Sequence, residues 1–459
     1  MVRFTLAEAT SWAAQGHEIA WDQFKVPFEV PAVDPLDVSK MPALALSDSG
    51  SQAVVEGEVF RLVFDRQAGT VASLHYQGHE LIQRGPRLNF WRAPTENDSG
   101  EWREKAAIQW REVGLDQLEE TVSEVSVAQL SPQVVRISVR SVCTPSGEVA
   151  ASQHAGPESQ ADLLTMFLSR ALDREGLKLL CQRMGVDYGA LPGTIKAAKI
   201  KGLIGAFAGD NRVPELLRMI YEFLQETAPD RIPPEFTAAV FPDKAGVPVA
   251  NVVAAKEPAR FDCETTYTVY GSGDVSIDAH VIPASEGLPF LPRIGLQMTV
   301  PGEYETFTWY GRGPHETYVD RKEGAQVGVH SGTVDEQYVP YVVPEENGNK
   351  TDVRWVTLTN DAGVGLLAAG SPVLEVSAHH YTTKDLTDAK HTYELTRRED
   401  ITLNLDYAQS GLGSASCGPG RLEKYQLKPE EVCYRVRLRP FSAGAADPMS
   451  LSKSVLPEL

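Results

Sequence analysis

Phe261-Asp262-Cys263-Glu264-Thr265-Thr266-Tyr267-Thr268-Val269 is followed by the turn-like Tyr270-Gly271-Ser272-Gly273-Asp274 and then by Val275-Ser276-Ile277-Asp278-Ala279-His280-Val281. Phe261, Cys263, Thr265, Tyr267 and Val269 alternate with Asp262, Glu264, Thr266 and Thr268. The alternation resumes at Val275, Ile277, Ala279 and Val281. A period of two places one set of side chains on a buried face and the other toward solvent, so the stretch predicts a β-hairpin. Residues 59–64 and 70–75, around a turn at 65–69, read the same way. Runs of this kind fill residues 54–141 and 237–440, and their repetition predicts a mainly β chain built as a large antiparallel sandwich.

The pattern breaks between those stretches. Leu164, Phe167 and Leu168, then Leu177, Leu180, Cys181 and Met184, fall at helical spacing. So do Ile200, Leu203, Ile204 and Phe207, and again Leu216, Ile220, Phe223 and Leu224. Each set lines one face of a helix. Asp173 and Thr194 stand where N-caps belong, Pro214 suits a first helical position, and Gly185 and Gly209 suit helix stops. Residues 160–226 carry a net charge of +1 and leave −20 for the rest. The expected domains are the closing strands of an incomplete β domain (1–26), a proline-spaced linker (27–52), the sandwich (53–150 and 237–442), an inserted small helical bundle (157–230) and a tail (443–459). The two strands near the N-terminus cannot bury a core alone.

The chain has 459 residues, 42% of them apolar, with 43 Lys and Arg against 62 Asp and Glu for a net charge of −19. An acidic surface repels a polyanion, so nucleic acid is not an expected partner. No run of 18 apolar residues suggests a membrane span, and the first residues do not resemble a signal peptide. Five scattered cysteines, with no CxxC pair, fit a reducing compartment, and the cytoplasm is expected.

No catalytic constellation follows from the residues alone. Glu345 and Glu346 are neighbours, and neighbours on an extended chain point to opposite faces. His379 and His380 diverge for the same reason, so a metal cluster with Asp385 or His391 is not expected. Gly311 and Gly313 lack the lysine and helix of a phosphate loop. Cys417 sits in the loop Gly411-Leu412-Gly413-Ser414-Ala415-Ser416-Cys417-Gly418-Pro419 with no histidine nearby in sequence. What stands out is aromatic and polar density at Phe90-Trp91-Arg92, Trp309-Tyr310-Gly311-Arg312, and Tyr338 with Tyr341. That composition suits sugar rings or protein interfaces, although buried sandwich aromatics are commoner.

Those motifs carry a resemblance. Phe90-Trp91-Arg92-Ala93-Pro94-Thr95-Glu96-Asn97-Asp98, Trp309-Tyr310-Gly311-Arg312-Gly313-Pro314-His315-Glu316 and Tyr318 with Asp320-Arg321 closely resemble the C-terminal β-sandwich of family 2 β-galactosidases. Tyr338-Val339-Pro340-Tyr341, Pro344-Glu345-Glu346-Asn347-Gly348 and Ser416-Cys417-Gly418-Pro419 continue it in order, and Gly16-His17-Glu18-Ile19-Ala20-Trp21 resembles the end of the preceding β domain. The resemblance implies a supersandwich related to galactose mutarotases, which lends edges to a sugar site on a catalytic barrel. It assigns Gly114, in Trp110-x-x-x-Gly114, to the start of a mobile loop. Ser416, Cys417 and Gly418 become a wall of the galactoside pocket. Trp91, Arg92, Asn97, Asp98, Trp309, Arg312, Glu346 and Asn347 become candidate sugar or interface contacts.

The barrel with its two catalytic glutamates and magnesium site has no counterpart in the sequence, so no catalytic residue, metal or cofactor is expected in this chain. The helical stretch, with Leu179-Leu180-Cys181, Gly185-Val186-Asp187-Tyr188, Leu191-Pro192-Gly193, Lys196-Ala197-Ala198-Lys199 and Leu216-Leu217, resembles bacterial effector-associated domains, which are death-like adaptors that pair homotypically. The expected function is that of a non-catalytic C-terminal part or small subunit of a β-galactosidase, partnered by a barrel-bearing chain or by itself. The alternative is a glycan-sensing scaffold whose helical insert recruits an effector.

Overall fold

The structure is a computed structural model that describes residues 1–29, 31–99, 105–146, 164–165, 168, 171–193, 196–208, 213–227 and 257–458. It divides into two compact units, Met1–Ser146 with Pro258–Leu459, and Gly147–Glu257.

The first unit begins with β1 (Val2–Thr5) and β2 (Glu18–Asp22), an antiparallel pair that forms a sheet of its own, with the adjacent Gln23 exchanging hydrogen bonds with the Val327 backbone at 2.8 and 2.7 Å. Phe4, Ile19 and the nearby Trp12 and Phe24 are exposed, so the pair has no core of its own. A five-stranded meander follows: β3 (Ala45–Asp48), β4 (Gln52–Glu56), β5 (Phe60–Asp65), β6 (Thr70–Tyr76) and β7 (His79–Ile82). The expected linker 27–52 therefore ends in a strand. Four residues beside a run of prolines give too short an alternation to notice, but Leu44 is buried and Leu46 packs on the core.

The large sheet is made of β8 (Arg84–Asn89), β9 (Leu118–Ser131), β10 (Val134–Pro145), β11 (Phe261–Tyr270), β12 (Val275–Pro283), β13 (Arg293–Val300), β14 (Thr306–Gly313), β15 (Gln326–Thr333), β16 (Lys350–Thr359), β17 (Val364–His379), β18 (Ile401–Gln409) and β19 (Val432–Ser442). Its main path runs β15-β14-β16-β17-β19-β12-β11-β10-β9. The long β17 serves two branches. Its first half pairs with β19 and its last five residues with β18, which passes the ladder to β13 and β8.

The alternating stretch from Phe261 to Val281 is the hairpin β11–β12, with Thr265 opposite Ala279 and Phe261 opposite Pro283. Phe261, Cys263, Thr265, Tyr267 and Val269 are all buried, as the period of two requires. Its turn needs glycine at 271, where a Cβ would lie 1.9 Å from the Pro42 carbonyl oxygen. Phe64 of the meander meets Tyr267 edge-on with ring centroids 5.1 Å apart, so meander and large sheet share one core.

The expected tail is also structured. A short helix, Pro448–Lys453, starts at an Asp447 cap that accepts from the Ser450 N–H at 3.0 Å. Arg437 donates to the carbonyls of Leu451 (3.0 Å) and Ser454 (2.6 Å). Beyond it, the Leu36 N–H donates to the Val455 carbonyl at 2.9 Å, and Pro35 and Val455 form a parallel bridge.

In the second unit, helices cover Arg174–Arg183, Lys196–Ala208 and Val213–Thr227. Asp173 caps the first by accepting from Gly176 N–H at 2.7 Å, and Gly185 follows it at φ +67°. Leu164, Leu168, Leu177, Leu180, Ile200, Leu203, Ile204, Leu216, Ile220 and Leu224 form a core separate from that of the sheets. Thr194, Gly209, Phe167 and residues 237–256 lie outside the described residues. No described helix is long and apolar enough to cross a membrane.

Candidate functional site

The glycine-rich loop after β18 is the centre of the site. Its backbone makes a few bonds of its own, such as the Gly418 N–H to the Ser414 carbonyl at 2.6 Å, and side chains from distant segments satisfy more of it. Arg92 forks onto Asp98 (3.0 and 3.1 Å) and donates to the Ser410 and Gly411 carbonyls. Arg421, at the far end of the loop, donates to the same Asp98 (2.5 Å) and to Gly411 (2.8 Å). Asp320 accepts from the N–H groups of Leu412 (3.0 Å) and Gly413 (2.8 Å). Asn97 accepts from both N–H and hydroxyl of Ser416 (3.0 and 2.8 Å) and donates to Gly413 (3.1 Å). Cys417, at the tip, is exposed.

Burial alone would raise the Asp98 carboxyl, but Arg92 and Arg421 outweigh it and hold the group below the usual carboxylate range. Both guanidiniums also face aromatic rings, Arg92 over Trp110 at 5.5 Å and Arg421 over Phe290 at 4.7 Å. Beside this brace lies a second buried group. Arg293 pairs with Glu346 (2.9 Å) and Asp406 (3.0 Å), and Gln409 reaches Glu346 at 3.3 Å. Glu345 turns the other way and accepts from the Glu96 N–H at 2.8 Å, so the adjacent glutamates do diverge. Burial pushes the Glu345 carboxyl up to about 7.

The expected residues divide accordingly. The structure brings Arg92, Asn97, Asp98, Ser416 and Gly418 together around the loop, with Glu346 and Asn347 just behind it. Arg92, Asp98, Glu346 and Asn347 are buried, and their polar groups are spent within the chain. Arg92 and Asp98 brace the loop, while Glu346 holds Arg293 and Asn347 accepts from the Val339 N–H. Trp309 and Arg312 belong elsewhere: Trp309 is 1% exposed and donates to the Arg312 carbonyl, while Arg312 pairs with Asp352 at 2.6 Å. Half-buried Trp91 packs on Trp110 and donates to the Thr387 hydroxyl. Trp110 lies on the buried face of the helix Ala106–Glu112, and Gly114 is a buried turn residue at φ +77°. A loop was expected there; the apolar Ala106, Ala107 and Trp110 spacing makes a helix face instead. Asp320 and Arg421 do the work of holding the loop but were not singled out for it.

Glu375, opposite Asp406 in the sheet, has Asn349 as its hydrogen-bond partner at 3.0 Å, and burial lifts its carboxyl to about 7. An unfolded glutamate titrates near about 4.3. The folded chain thus holds a proton that the unfolded chain has lost between these values. Stability is full below about pH 4.3 and falls as pH rises through 7. Glu375→Gln should flatten that slope and raise stability at pH 8 by on the order of 2–3 kcal/mol, with little gain at pH 5. Urea unfolding of both proteins at the two pH values checks it; equal gains at both would refute the titration.

Residues 56–183 and 229–438 match the family model described as the β-galactosidase small chain. The chain belongs to that family. Residues 1–27 match the model of β-galactosidase domain 4, and residues 164–223 that of effector-associated domain 7. The β-galactosidase of Priestia megaterium is 29% identical over 408 residues, covering 89% of this chain and 28% of the relative. That of Actinobacillus pleuropneumoniae is 33% identical over 172 residues, or 38% of this chain and 16% of the relative. The chain thus spans a third or less of the length of these relatives. A GalM/aldose epimerase homologue from C. elegans covers 87% of this chain and 99% of its own, at 9% identity and a TM-score of 0.34, too distant a likeness to argue from.

Proposed function

We propose that the chain acts as the non-catalytic small-chain part of a β-galactosidase in the cytoplasm, lending the edge of a galactoside pocket to a barrel that carries the acid/base, the nucleophile and the magnesium ligands. The supporting observation is the braced loop. Cys417 is exposed at its tip, while Arg92, Asp98, Asn97, Asp320 and Arg421 fix the backbone behind it. A wall of a sugar pocket needs that rigidity, because positioning within about half an ångström decides whether binding energy reaches the reacting atoms. Ser416 and Gly418 flank the wall. The exposed β1–β2 pair, with Phe4 and Ile19, is the surface that joins the rest of a β-galactosidase.

The test is complementation. The purified 459-residue chain should hydrolyse no chromogenic β-galactoside. Added to a β-galactosidase chain that retains its barrel and lacks its own small-chain region, it should restore turnover. Hydrolysis by the chain alone, with host enzyme excluded, sinks the proposal, as does failure to restore any activity to a barrel chain that its own small-chain region rescues.

The match of residues 164–223 to effector-associated domain 7 favours a second reading, in which the helical unit recruits an effector by homotypic pairing and the sandwich senses a glycan. Self-association of the isolated helical unit in sedimentation experiments would support it; a strict monomer at high concentration would count against it.

A further inference from the structure

Glu305, Asp335 and His380 arrive from three separate places: the turn before β14, the turn after β15 and the end of β17. Their ligand atoms all lie within 4.8 Å of one another. His380 is the buried member, with its side chain 1% exposed. Its Nδ1 lies 3.1 Å from the Arg398 carbonyl oxygen. A carbonyl can only accept, so Nδ1 carries a proton and Nε2 is the ring atom that faces the cluster. Metal-binding imidazoles are oriented by the same kind of outer hydrogen bond.

Nε2 stands 2.7 Å from Glu305 Oε2. Positive charge closes that contact, either a proton on Nε2 or the neighbouring Arg397 guanidinium, whose Nη2 is 3.0 Å from Nε2 and 3.6 Å from Glu305 and whose Nε meets the Asp335 carboxylate at 3.0 and 3.1 Å. The guanidinium is also open to solvent, with its side chain 47% exposed. It also lines an open groove of about 660 Å³ with Asp388, Glu394, Glu399 and Asp400, which offer it other carboxylates.

We propose that Glu305, Asp335 and His380 form a binding site for a divalent transition-metal ion of the zinc type, which exchanges with the Arg397 guanidinium. One imidazole nitrogen and two carboxylates complete a four-coordinate shell with a single water. The nitrogen favours zinc, cobalt or nickel over magnesium and calcium, which prefer all-oxygen shells.

The experiment titrates the metal-free full chain with zinc chloride by calorimetry in the presence of excess magnesium, and follows Co²⁺ binding by its visible absorption. One zinc should bind per chain. Arg397→Ala should bind it roughly tenfold tighter, because the competing cation is gone. In that background His380→Gln should weaken binding by about a hundredfold or more. His380 is buried, so Asp335→Asn, at an exposed position, provides a second variant whose fold is safe and whose affinity should also drop. No saturable zinc binding by Arg397→Ala overturns the site. So does binding that survives Asp335→Asn undiminished, since the zinc would then sit elsewhere.

Discussion

Asp98→Ala should destabilise the sandwich by about 3–5 kcal/mol, because it removes the carboxylate that two buried guanidiniums, Arg92 and Arg421, share. The same carboxylate also accepts from the Thr95 N–H at 3.0 Å, so a turn is lost with it. The effect should concentrate in the loop. Hydrogen exchange at Leu412, Gly413 and Ser416 should accelerate well before the β11–β12 ladder opens. The wild-type contribution has a definite pH window. Asp98 titrates below its unfolded value, so its stabilisation is present above about pH 3.9 and drains away only as pH falls through the lower folded value. In the variant that acid-linked part should be missing. Unchanged unfolding free energy and unchanged loop exchange would show that the guanidiniums find other partners and that the brace is not what holds the loop.

The second large effect concerns the helical unit. β10 and β11 pair directly from Val134 opposite Tyr270 to Cys143 opposite Phe261, and the chain leaves the sheet only beyond that last pair. A short connection there is all the ladder requires. Replacing Gly147–Glu257 by a few Gly and Ser residues should therefore leave the sandwich folded, with a cooperative β transition by circular dichroism. The excised unit should show helix on its own, since Leu177, Leu180, Ile200, Leu203, Ile220 and Leu224 bury one another. Leu180→Ala should cost that small core roughly 2–5 kcal/mol and unfold it in the full chain while the sheets persist. A deletion that unfolds the sandwich, or an excised unit without helix signal, would mean that neither unit is autonomous.

Much of the architecture was legible because it is written in local periodicity. The alternation from Phe261 to Val281 is a hairpin, and the spacing of Leu177, Leu180 and Cys181 is a helix behind an Asp173 cap. The candidate site was legible only in part. Arg92 and Asp98 are six residues apart in a quoted motif, but their third partner, Arg421, is 323 residues from Asp98. Glu305 and His380 are 75 residues apart, and nothing near either marks the other. Trp309 misled in the opposite direction: an aromatic beside arginine and glycine resembles a sugar platform, whereas this one fills the core between Phe307 and His330. Composition identifies such groups, and only the register of the sheet decides which way they face.

The bridge between Pro35 and Val455, closed by the Leu36 amide on the Val455 carbonyl, also sets a schedule for birth. These two residues are 420 positions apart, so one waits outside the ribosome while the other is still untranslated. At synthesis rates of about 5–20 residues per second, the wait is roughly 20–80 s. Throughout it the meander and the β9–β12 strands can assemble, but β19, which joins β12 to β17, is also among the last strands made. Closure of the sheet therefore waits until β19 has been made, and the exposed edge of β12 is the surface a chaperone would have to shield until then.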